Sequence, residues 1–360
     1  MKTSLLKSTL PLLSLALLPV RMQAANESTI EESENNGVLM QALQNFQKRA
    51  SKHVNFSGFF IGRYYYDSSK DNSGNFDIRM LRLILSGNIS KDFGYRIQME
   101  GSAGTPRILD AWAEWKRYSF FQVRAGQMKR SFTFENPWSP VTLGVPDYSQ
   151  AIMKLSGFTD RVGEHSSGGR DIGVMVSGEF LPIANHQLFR YEMGVYNGNG
   201  INKADNNSSK DFIASLYMKP IEHLRIGGGF WTGEYGAKEN KVDRRRWTTG
   251  FSYDDGKYVL RGEYLSSKGG VSGKPTAPKQ SNGWYITGGM PLSKKLKGFV
   301  KYDVYRDDQT KQSQSTKYMA SLNWTVHKYI ILQATYFYNE NKQVGVSNSN
   351  NAVAQMYIRF

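Results

Sequence analysis

The chain has 360 residues, a formal net charge of +15 and no cysteine, which excludes disulfides, thiolate nucleophiles and cysteine-ligated metals. No segment approaches the roughly 18 uninterrupted apolar residues of a membrane-spanning helix, so a helical membrane protein is excluded. A membrane β-barrel is not excluded, because its strands carry apolar residues in alternation with polar ones.

The first residues carry the features of an export signal. Lys2 and Lys7 precede a mostly apolar stretch over residues 10–20, and two alanines close the segment. This order predicts a secretory signal peptide over residues 1–25. An exported chain does not meet cytoplasmic nucleic acid, so we do not expect the basic charge to serve nucleic-acid binding.

Residues 26–52 differ from the segments on either side. They begin polar and acidic, and Leu39, Leu43 and Phe46 then recur at helical spacing. We expect a short helix or a flexible arm in the periplasm here. The remaining residues, 53–360, form the third and largest region.

Segments with one apolar and one polar face follow one another through residues 53–360. In "YRIQMEGS", Tyr95, Ile97 and Met99 alternate with charged and amide residues, a pattern typical of a strand. We count about sixteen such segments. Roughly 21 residues per strand and connection fit a transmembrane strand of about 10 residues plus a turn or a loop.

The connections between these segments alternate in length. Short ones such as "SKDF" (residues 90–93) and "DDGK" (residues 254–257) take turns with long polar ones such as residues 197–210 and 266–282. Outer-membrane barrels have tight periplasmic turns and longer extracellular loops. We therefore predict an all-β fold, a transmembrane antiparallel β-barrel of about sixteen strands over residues 53–360.

Aromatic residues near the predicted strand ends suit an interfacial girdle in a membrane. They are Tyr64, Tyr66, Trp115, Trp231, Trp247, Trp284, Trp324 and Tyr338. A soluble β-sandwich shows the same alternation with its apolar face inward. The girdle, the signal peptide and the strand count favour the barrel.

Several stretches resemble the phosphate-selective porin O and P family, in order, from residue 55 onward. They include "FDIRMLRLILSGNISKDFGYRIQMEG", "ILDAWAEW", "RAGQMKRSFTFEN" and "GRDIGVMVSGE". The positions similar to the family's Gly-Gln-x-Lys-x-x-Phe-x-x-Glu run are Gly126, Gln127, Lys129, Phe132 and Glu135. Ser131 stands where the family has proline. The resemblance implies a sixteen-stranded outer-membrane barrel, commonly trimeric, with a loop folded into the pore.

The longest segment without alternation runs from residue 131 to residue 169. Loops of this length are usually functional or disordered, and apolar side chains such as Trp138 predict order here. The segment follows the fifth strand and therefore emerges outside as the third extracellular loop, which the family resemblance implies folds inward. Its basic candidates for contact with a solute are Lys154, Arg161 and His165, with Arg170 just beyond.

The alternation also predicts which strand residues line the pore. An arginine on the lipid face at the bilayer midplane costs roughly 2–4 kcal/mol, so basic residues of the strands are expected to face the lumen. These are Arg63, Arg82, Arg96, Arg124, Arg130, Arg190, Arg225, Arg246, Arg261 and Lys301. Lys129 is a further candidate whose direction the pattern leaves open, because it sits at a strand end. Rings of arginine and lysine favour anions.

The same rule places carboxylates in the lumen. They are Glu100, Asp110, Glu114, Asp171, Glu179, Glu192, Glu263 and Asp303. A general, non-selective porin also sets arginines opposite carboxylates. We expect a diffusion porin for small hydrophilic solutes with a preference for anions such as phosphate, and the general porin is the alternative.

Other functional classes have less support in the sequence. The five histidines are scattered without an H-E-x-x-H run, so no metal site and no cofactor are predicted. No G-x-S-x-G run is present, and an enzyme is not expected. A structural or adhesive barrel with a blocked lumen is a further alternative, and it would lack conductance.

The segment "AVAQMYIRF" reads as the closing strand, with Met356, Ile358 and Phe360 on its apolar face. It is expected to pair with the first strand, because an open edge in lipid leaves backbone groups unpaired. A terminal aromatic residue also resembles the signal that barrel-assembly machinery recognises. The expected partners are that machinery through Phe360, outer-membrane lipid and lipopolysaccharide, small anionic or polar solutes, and further copies of the chain in a homotrimer.

Overall fold

The computed structural model describes residues 54–71, 73–102, 104–274 and 276–360. The predicted signal peptide (residues 1–25) and periplasmic arm (residues 26–52) lie outside the described residues. Within the described residues, no helix is long and apolar enough to cross a membrane.

Strands account for most of the described residues. Their bounds are β1 Asn55–Asp67, β2 Gly74–Asn88, β3 Phe93–Glu100, β4 Arg107–Trp115, β5 Gln122–Lys129, β6 Arg170–Ile183, β7 His186–Tyr196, β8 Asp211–Ile221, β9 Leu224–Tyr235, β10 Val242–Asp254, β11 Val259–Lys268, β12 Gln280–Pro291, β13 Leu296–Arg306, β14 Gln314–His327, β15 Ile330–Asn341 and β16 Ser349–Arg359. In the part of the connections that the structure describes there are one α-helix, α1 (Gln150–Leu155), and short 3₁₀ helices at Pro140–Thr142, Lys238–Asn240 and Lys311–Ser313.

Each strand pairs antiparallel with its neighbours in sequence, and β1 pairs with β16 to close the barrel. At this seam Phe59 lies opposite Arg359. The N–H of Gly58 donates to the carbonyl of Phe360 at 2.9 Å. Closure pairs the backbone groups that an open sheet edge would expose. The predicted sixteen-stranded barrel is confirmed.

The two ends of the barrel differ in their connections. At the end that holds Asn55 and Phe360, here called the turn end, neighbouring strands are joined by two to six residues. At the opposite loop end, the connections range from six residues to the forty residues between β5 and β6. This last connection, residues 130–169, is called loop 3 below.

Exposure alternates along the strands as the sequence pattern predicts. On β14, Leu322 and Trp324 are about half exposed on the outer face, whereas Ser321 is buried on the inner face. The girdle prediction is wrong for Trp231, which is fully buried inside the barrel. Its ring packs edge-on against Phe132 of loop 3 at 5.3 Å between centroids, so apolar burial by the loop has replaced burial in lipid.

The interior of the barrel contains an apolar core. Loop 3 contributes buried side chains such as Leu143, Ile152 and Leu155, which cluster with inward-facing residues such as Tyr285 and Phe299. Inward positions of the strands are therefore not all in contact with water, because a forty-residue loop provides them with apolar partners.

Candidate permeation pathway

Loop 3 lies within the barrel and reaches the strands opposite its origin. The Asn323 side-chain amide on β14 donates to the Gly144 carbonyl at 2.9 Å. The Gln150 N–H at the start of α1 donates to Asp303 Oδ2 on β13, also at 2.9 Å. The loop leaves β5 and touches β13 and β14, so it crosses the lumen and narrows it.

Two buried ion pairs fasten the loop to the far wall. The Arg246 guanidinium donates to both oxygens of Asp160 at 2.7 Å, and both side chains are fully buried. Lys301 Nζ lies 2.7 Å from Glu135 Oε1, and this pair is also buried. Removing one member of such a pair would leave an uncompensated charge, which is costly in a poorly hydrated site.

A third anchor surrounds Trp231. The guanidinium carbons of Arg130, Arg244 and Arg246 lie 4.8, 4.6 and 4.8 Å from the centre of its ring. Arg244 of β10 also pairs with Glu164 of loop 3 at 3.2 Å. The electron-rich face of an indole attracts cations, so Trp231 holds three arginines together beside the loop.

The pKa of Asp160 reflects its position in this anchor. Burial alone would raise the pKa of the carboxyl, but the Arg246 charge, its hydrogen bonds and the nearby Arg244 outweigh that effect. The pKa therefore lies below its ordinary value of 3.8. At neutral pH the pair is fully charged.

The open part of the lumen lies on the other side of loop 3. A cavity of about 680 Å³ is bounded by loop 3 residues such as Pro137 and Thr142 and by the inner faces of strands between β1 and β9, together with β16. Its cationic lining residues, here called the basic wall, are Arg82, Arg96, Arg124, Lys129, Arg130, Arg170, Arg190, Arg225 and Arg359. Two carboxylates, Asp110 and Glu192, line the same cavity.

Most arginines of the basic wall are held by carboxylates. Arg82 bonds Glu100 at 2.9 Å, and Arg124 bonds Glu114 at 2.6 Å. Paired guanidinium groups are fixed in position but still present N–H groups to the cavity, because each carries five donors. The pairs therefore form a pre-oriented donor surface.

The carboxylates on this wall are outnumbered. Asp110 is shared between Arg170 at 2.8 Å and Arg96 at 3.6 Å. None of the ion pairs among the described residues includes Lys129, Arg225 or Arg359. The cavity surface therefore carries excess positive charge.

Lys129 and Arg225 are positioned by neutral groups. Lys129 Nζ donates to the carbonyls of Asn136 and Trp138 in loop 3. The Arg225 guanidinium lies 5.1 Å from the ring of Phe134 and 4.9 Å from that of Tyr217. Carbonyl dipoles and ring faces orient a cation without cancelling its charge.

The basic wall extends along the barrel axis. Arg170 begins β6 and Lys129 ends β5, both near the loop end, whereas Arg124 and Arg225 lie near the turn end. Five residues of strand separate Arg124 from Lys129, or about 17 Å at the usual rise. An anion that leaves one cation therefore meets another before it leaves the barrel.

A smaller cavity of about 270 Å³ lies on the other side of the 3₁₀ helix Pro140–Thr142 from the basic wall. Val141 and Thr142 line both cavities, so this part of loop 3 is the partition between them. Arg261 lines the smaller cavity, bonds Asp254 at 2.5 Å and lies 4.1 Å from the ring of Trp138.

Six of the predicted basic residues line neither cavity, and one of them, His165, is exposed in loop 3. Arg246 and Lys301 are buried in the anchors described above. Arg161 is also buried and donates to the carbonyls of Gly269 and Pro278. Arg63 pairs with Asp77 at 2.5 Å. Lys154 is exposed on α1.

The sequence reasoning also missed cations that face the interior, among them Arg79, Arg244 and Arg359. Arg79 is skipped in the β1–β2 register by a bulge, and its side chain donates to Asp147 of loop 3 at 2.6 Å. A bulge breaks the alternation on which the assignment depended. Arg359 lies two residues after Tyr357 on β16 and so shares its inward face, and this alternation would have sufficed to include it.

The model of the phosphate-selective porin O and P family matches residues 53–227. No curated protein matches the chain. Among solved structures, an anion-selective porin from Comamonas acidovorans is 13% identical, with a TM-score of 0.65 over 85% of this chain and 99% of that chain.

Two further solved structures show the same fold. The outer-membrane channel DcaP of Acinetobacter baumannii is 13% identical, with a TM-score of 0.62 over 85% of this chain and 97% of that chain. The trimer form of OmpT from Vibrio cholerae is 13% identical, with a TM-score of 0.60 over 85% and 99%. Family and fold are those of a bacterial outer-membrane channel rather than of an enzyme. Residues 53–227 match the phosphate-selective porin O and P family, and the closed sixteen-stranded barrel that contains them has the fold of an outer-membrane porin.

Proposed function

We propose that the protein is a diffusion porin of the outer membrane that passes small hydrophilic solutes and prefers anions such as phosphate. The observation that carries this proposal is the composition of the larger cavity: nine cations and two carboxylates line it, and Arg225 and Arg359 belong to none of the ion pairs among the described residues. Excess fixed positive charge raises the local concentration of anions and lowers that of cations.

The chemistry of the basic wall suits oxyanions. Arginine donors match the geometry of phosphate oxygens, and those held by Glu100 or Glu114 are already oriented. Arg225 and Arg359 retain uncompensated charge. Because such sites recur along the wall, each can be weak enough to release the solute to the next, which conduction requires.

Similarity to the anion-selective porin from Comamonas acidovorans supports the same selectivity. The general porin remains the alternative candidate, since several carboxylates pair with wall arginines. An anion-preferring porin and a general porin differ in whether anions permeate better than cations, and the reversal potential under a salt gradient measures this difference.

The test uses the folded protein in planar bilayers under a KCl gradient. We expect a reversal potential that indicates chloride permeating better than potassium, and chloride current that falls when phosphate is added. A cation-selective channel would contradict the proposal. Chloride preference without block by phosphate would leave an anion porin that has no phosphate site.

We infer that the turn end faces the periplasm and the loop end faces the outside. In this orientation residues 1–25 serve export and residues 26–52 remain periplasmic. The trimeric state of OmpT supports a homotrimer for this chain. We further propose that barrel-assembly machinery engages β16 through Phe360, that lipid covers the outer face, and that the protein has no catalytic activity.

A further inference from the structure

A cluster of cations lies on the outer face of the barrel, apart from the pore. Arg245 on β10 and Lys268 on β11 occupy directly opposed positions. Lys268 in turn lies opposite Gln280 on β12. These residues, with Lys274 and Lys279 of the loop between β11 and β12, line an open cleft of about 510 Å³, called the outer cleft below.

The outer cleft carries charge that its own residues do not neutralise. Opposed like charges on neighbouring strands are unfavourable. Asp243 reaches Arg245 only at 3.8 Å, with both side chains about two-thirds exposed. The ion pairs among the described residues do not include Lys268, Lys274 or Lys279.

The height of the outer cleft matches a membrane surface. Trp247 lies on β10 two residues from Arg245 toward the turn end, and its ring lies 5.2 Å from that of Tyr264. A continuing row of outward rings includes Trp284 and Tyr302, 5.0 Å apart. Such belts mark the level of lipid headgroups. Two residues of strand put Arg245 about 7 Å beyond the belt, where headgroup phosphates lie.

The floor of the cleft is fixed by loop 3. Arg161, whose side chain is buried, donates at 2.6 Å to the carbonyls of Gly269 and Pro278, at the two ends of the β11–β12 loop. The Gly269 N–H donates to the Lys279 carbonyl at 2.8 Å. The cations therefore project from a braced hairpin, which lowers the entropic cost of binding.

We propose that the outer cleft binds the phosphate groups of an outer-leaflet glycolipid, with Arg245, Lys268 and Lys279 as the donors. This inference rests on the proposed orientation, loop end outward, and is independent of ion selectivity. The bound lipid is a phosphorylated lipopolysaccharide, because its phosphates lie at the belt level and its acyl chains extend along the apolar face below.

The test compares wild-type protein with the variant R245Q/K268Q/K279Q in neutral detergent. A matched control, K294Q/K295Q/K328Q, removes three exposed cations from the turn end. The probes are lipopolysaccharide, the same lipid after dephosphorylation, and inorganic phosphate. Heat-modifiable electrophoretic mobility reports that each variant is folded.

We expect the triple variant to bind lipopolysaccharide at least about tenfold more weakly, since each surface cation contributes to anionic-lipid binding. The control should bind normally, and dephosphorylated lipid should bind to none of the proteins. Equal binding by the triple variant, or an equal loss in the control, would overturn the proposal. Competition by inorganic phosphate at the lipid's own concentration would assign the cleft to free anions and would also overturn it. Unchanged chloride selectivity in the triple variant separates this outcome from a failure of the proposed pore function.

Discussion

The basic wall and the opposite side of the lumen are built from the same alternating strands but have different surroundings. The inner faces of β11 to β14, here called the packed wall, meet loop 3 through Leu265, Tyr285 and Phe299, which are buried. The basic wall also contacts loop 3, for example through Lys129 and Arg225, but much of it borders an open cavity. One loop therefore turns half of the lumen into a protein core and leaves the other half as a path for ions.

This difference shows that side-chain charge alone does not mark a permeation path. Lys301 and Arg246 are inward cations like Arg124, but they hold carboxylates of the loop and are almost fully buried. Whether an inward cation meets a solute depends on what the loop brings to it.

The largest effect is expected from breaking the anchor at Asp160. In D160N the Arg246 guanidinium stays buried without its counter-charge, and we expect the free energy of unfolding to fall by roughly 3–5 kcal/mol. A loosened loop 3 should also widen the pore. Urea unfolding in detergent and single-channel conductance measure the two effects.

The matched control for this prediction is D243N. It removes the carboxylate from an exposed pair with Arg245, where a loss of about 0–1 kcal/mol is expected. Equal stability of D160N and D243N would show that the buried pair does not hold the loop.

A second prediction concerns the contact between loop 3 and the packed wall at Gly144. Its φ of +84° suits glycine, and a Cβ there would lie 2.4 Å from the ring of Phe299. Gly256, in a turn, has nearly the same φ of +83° but open space around it. We expect G144A to cost roughly 1–3 kcal/mol more than G256A, because the two share backbone strain and only the first overpacks. Equal unfolding midpoints of G144A and G256A would show that the contact between Gly144 and Phe299 does not contribute to stability.

The third prediction concerns the unpaired cations of the basic wall. R225Q/R359Q removes two charges without leaving a carboxylate unpaired. At about 8 Å each charge acts on an ion with about 0.5 kcal/mol in pure water and roughly half of that in salt, with opposite sign on chloride and on potassium. The chloride-to-potassium permeability ratio should therefore fall by about fivefold. Reversal potentials measure the ratio. K294Q/K295Q/K328Q, outside the lumen, should leave it unchanged, and an equal fall in that control would indicate a surface-charge effect.

The smallest effect is expected from mild acid. The pKa of Asp160 is lowered in the folded protein, so its contribution to stability is complete above the ordinary value of 3.8 and is lost as the pH falls through the lower, folded-state value. The stability difference between wild type and D160N should therefore be the same at about pH 7 and about pH 5. A difference that narrows already between these two pH values would contradict the low pKa.

The sequence was sufficient to predict the barrel because its information is local. Alternation assigns Leu322 and Trp324 to the outer face and Ser321 to the inner face, as observed. The length and apolar content of residues 131–169 likewise pointed to an ordered loop.

The interior could not be predicted in the same way. The burial of Trp231, Arg246 and Lys301 depends on partners in loop 3 that are far away in sequence, and no periodic pattern connects them. Arg79 escaped prediction because its bulge shifts the register by one residue. The alternation predicts which face of the sheet a side chain occupies. The path of loop 3 determines whether an inward side chain is covered by protein or borders the open lumen.

The seam between β1 and β16 has a consequence for the order of folding. Phe59 and Arg359 are paired across the seam but lie 300 residues apart in the chain, whereas most other strand pairs are hairpins. Closing a chain segment of that length costs about 3 kcal/mol more conformational entropy than closing one of about 10 residues. The sheet can therefore grow hairpin by hairpin, and the seam is the last pairing to form. Until it forms, β1 and β16 are the two edges open to a strand from another protein.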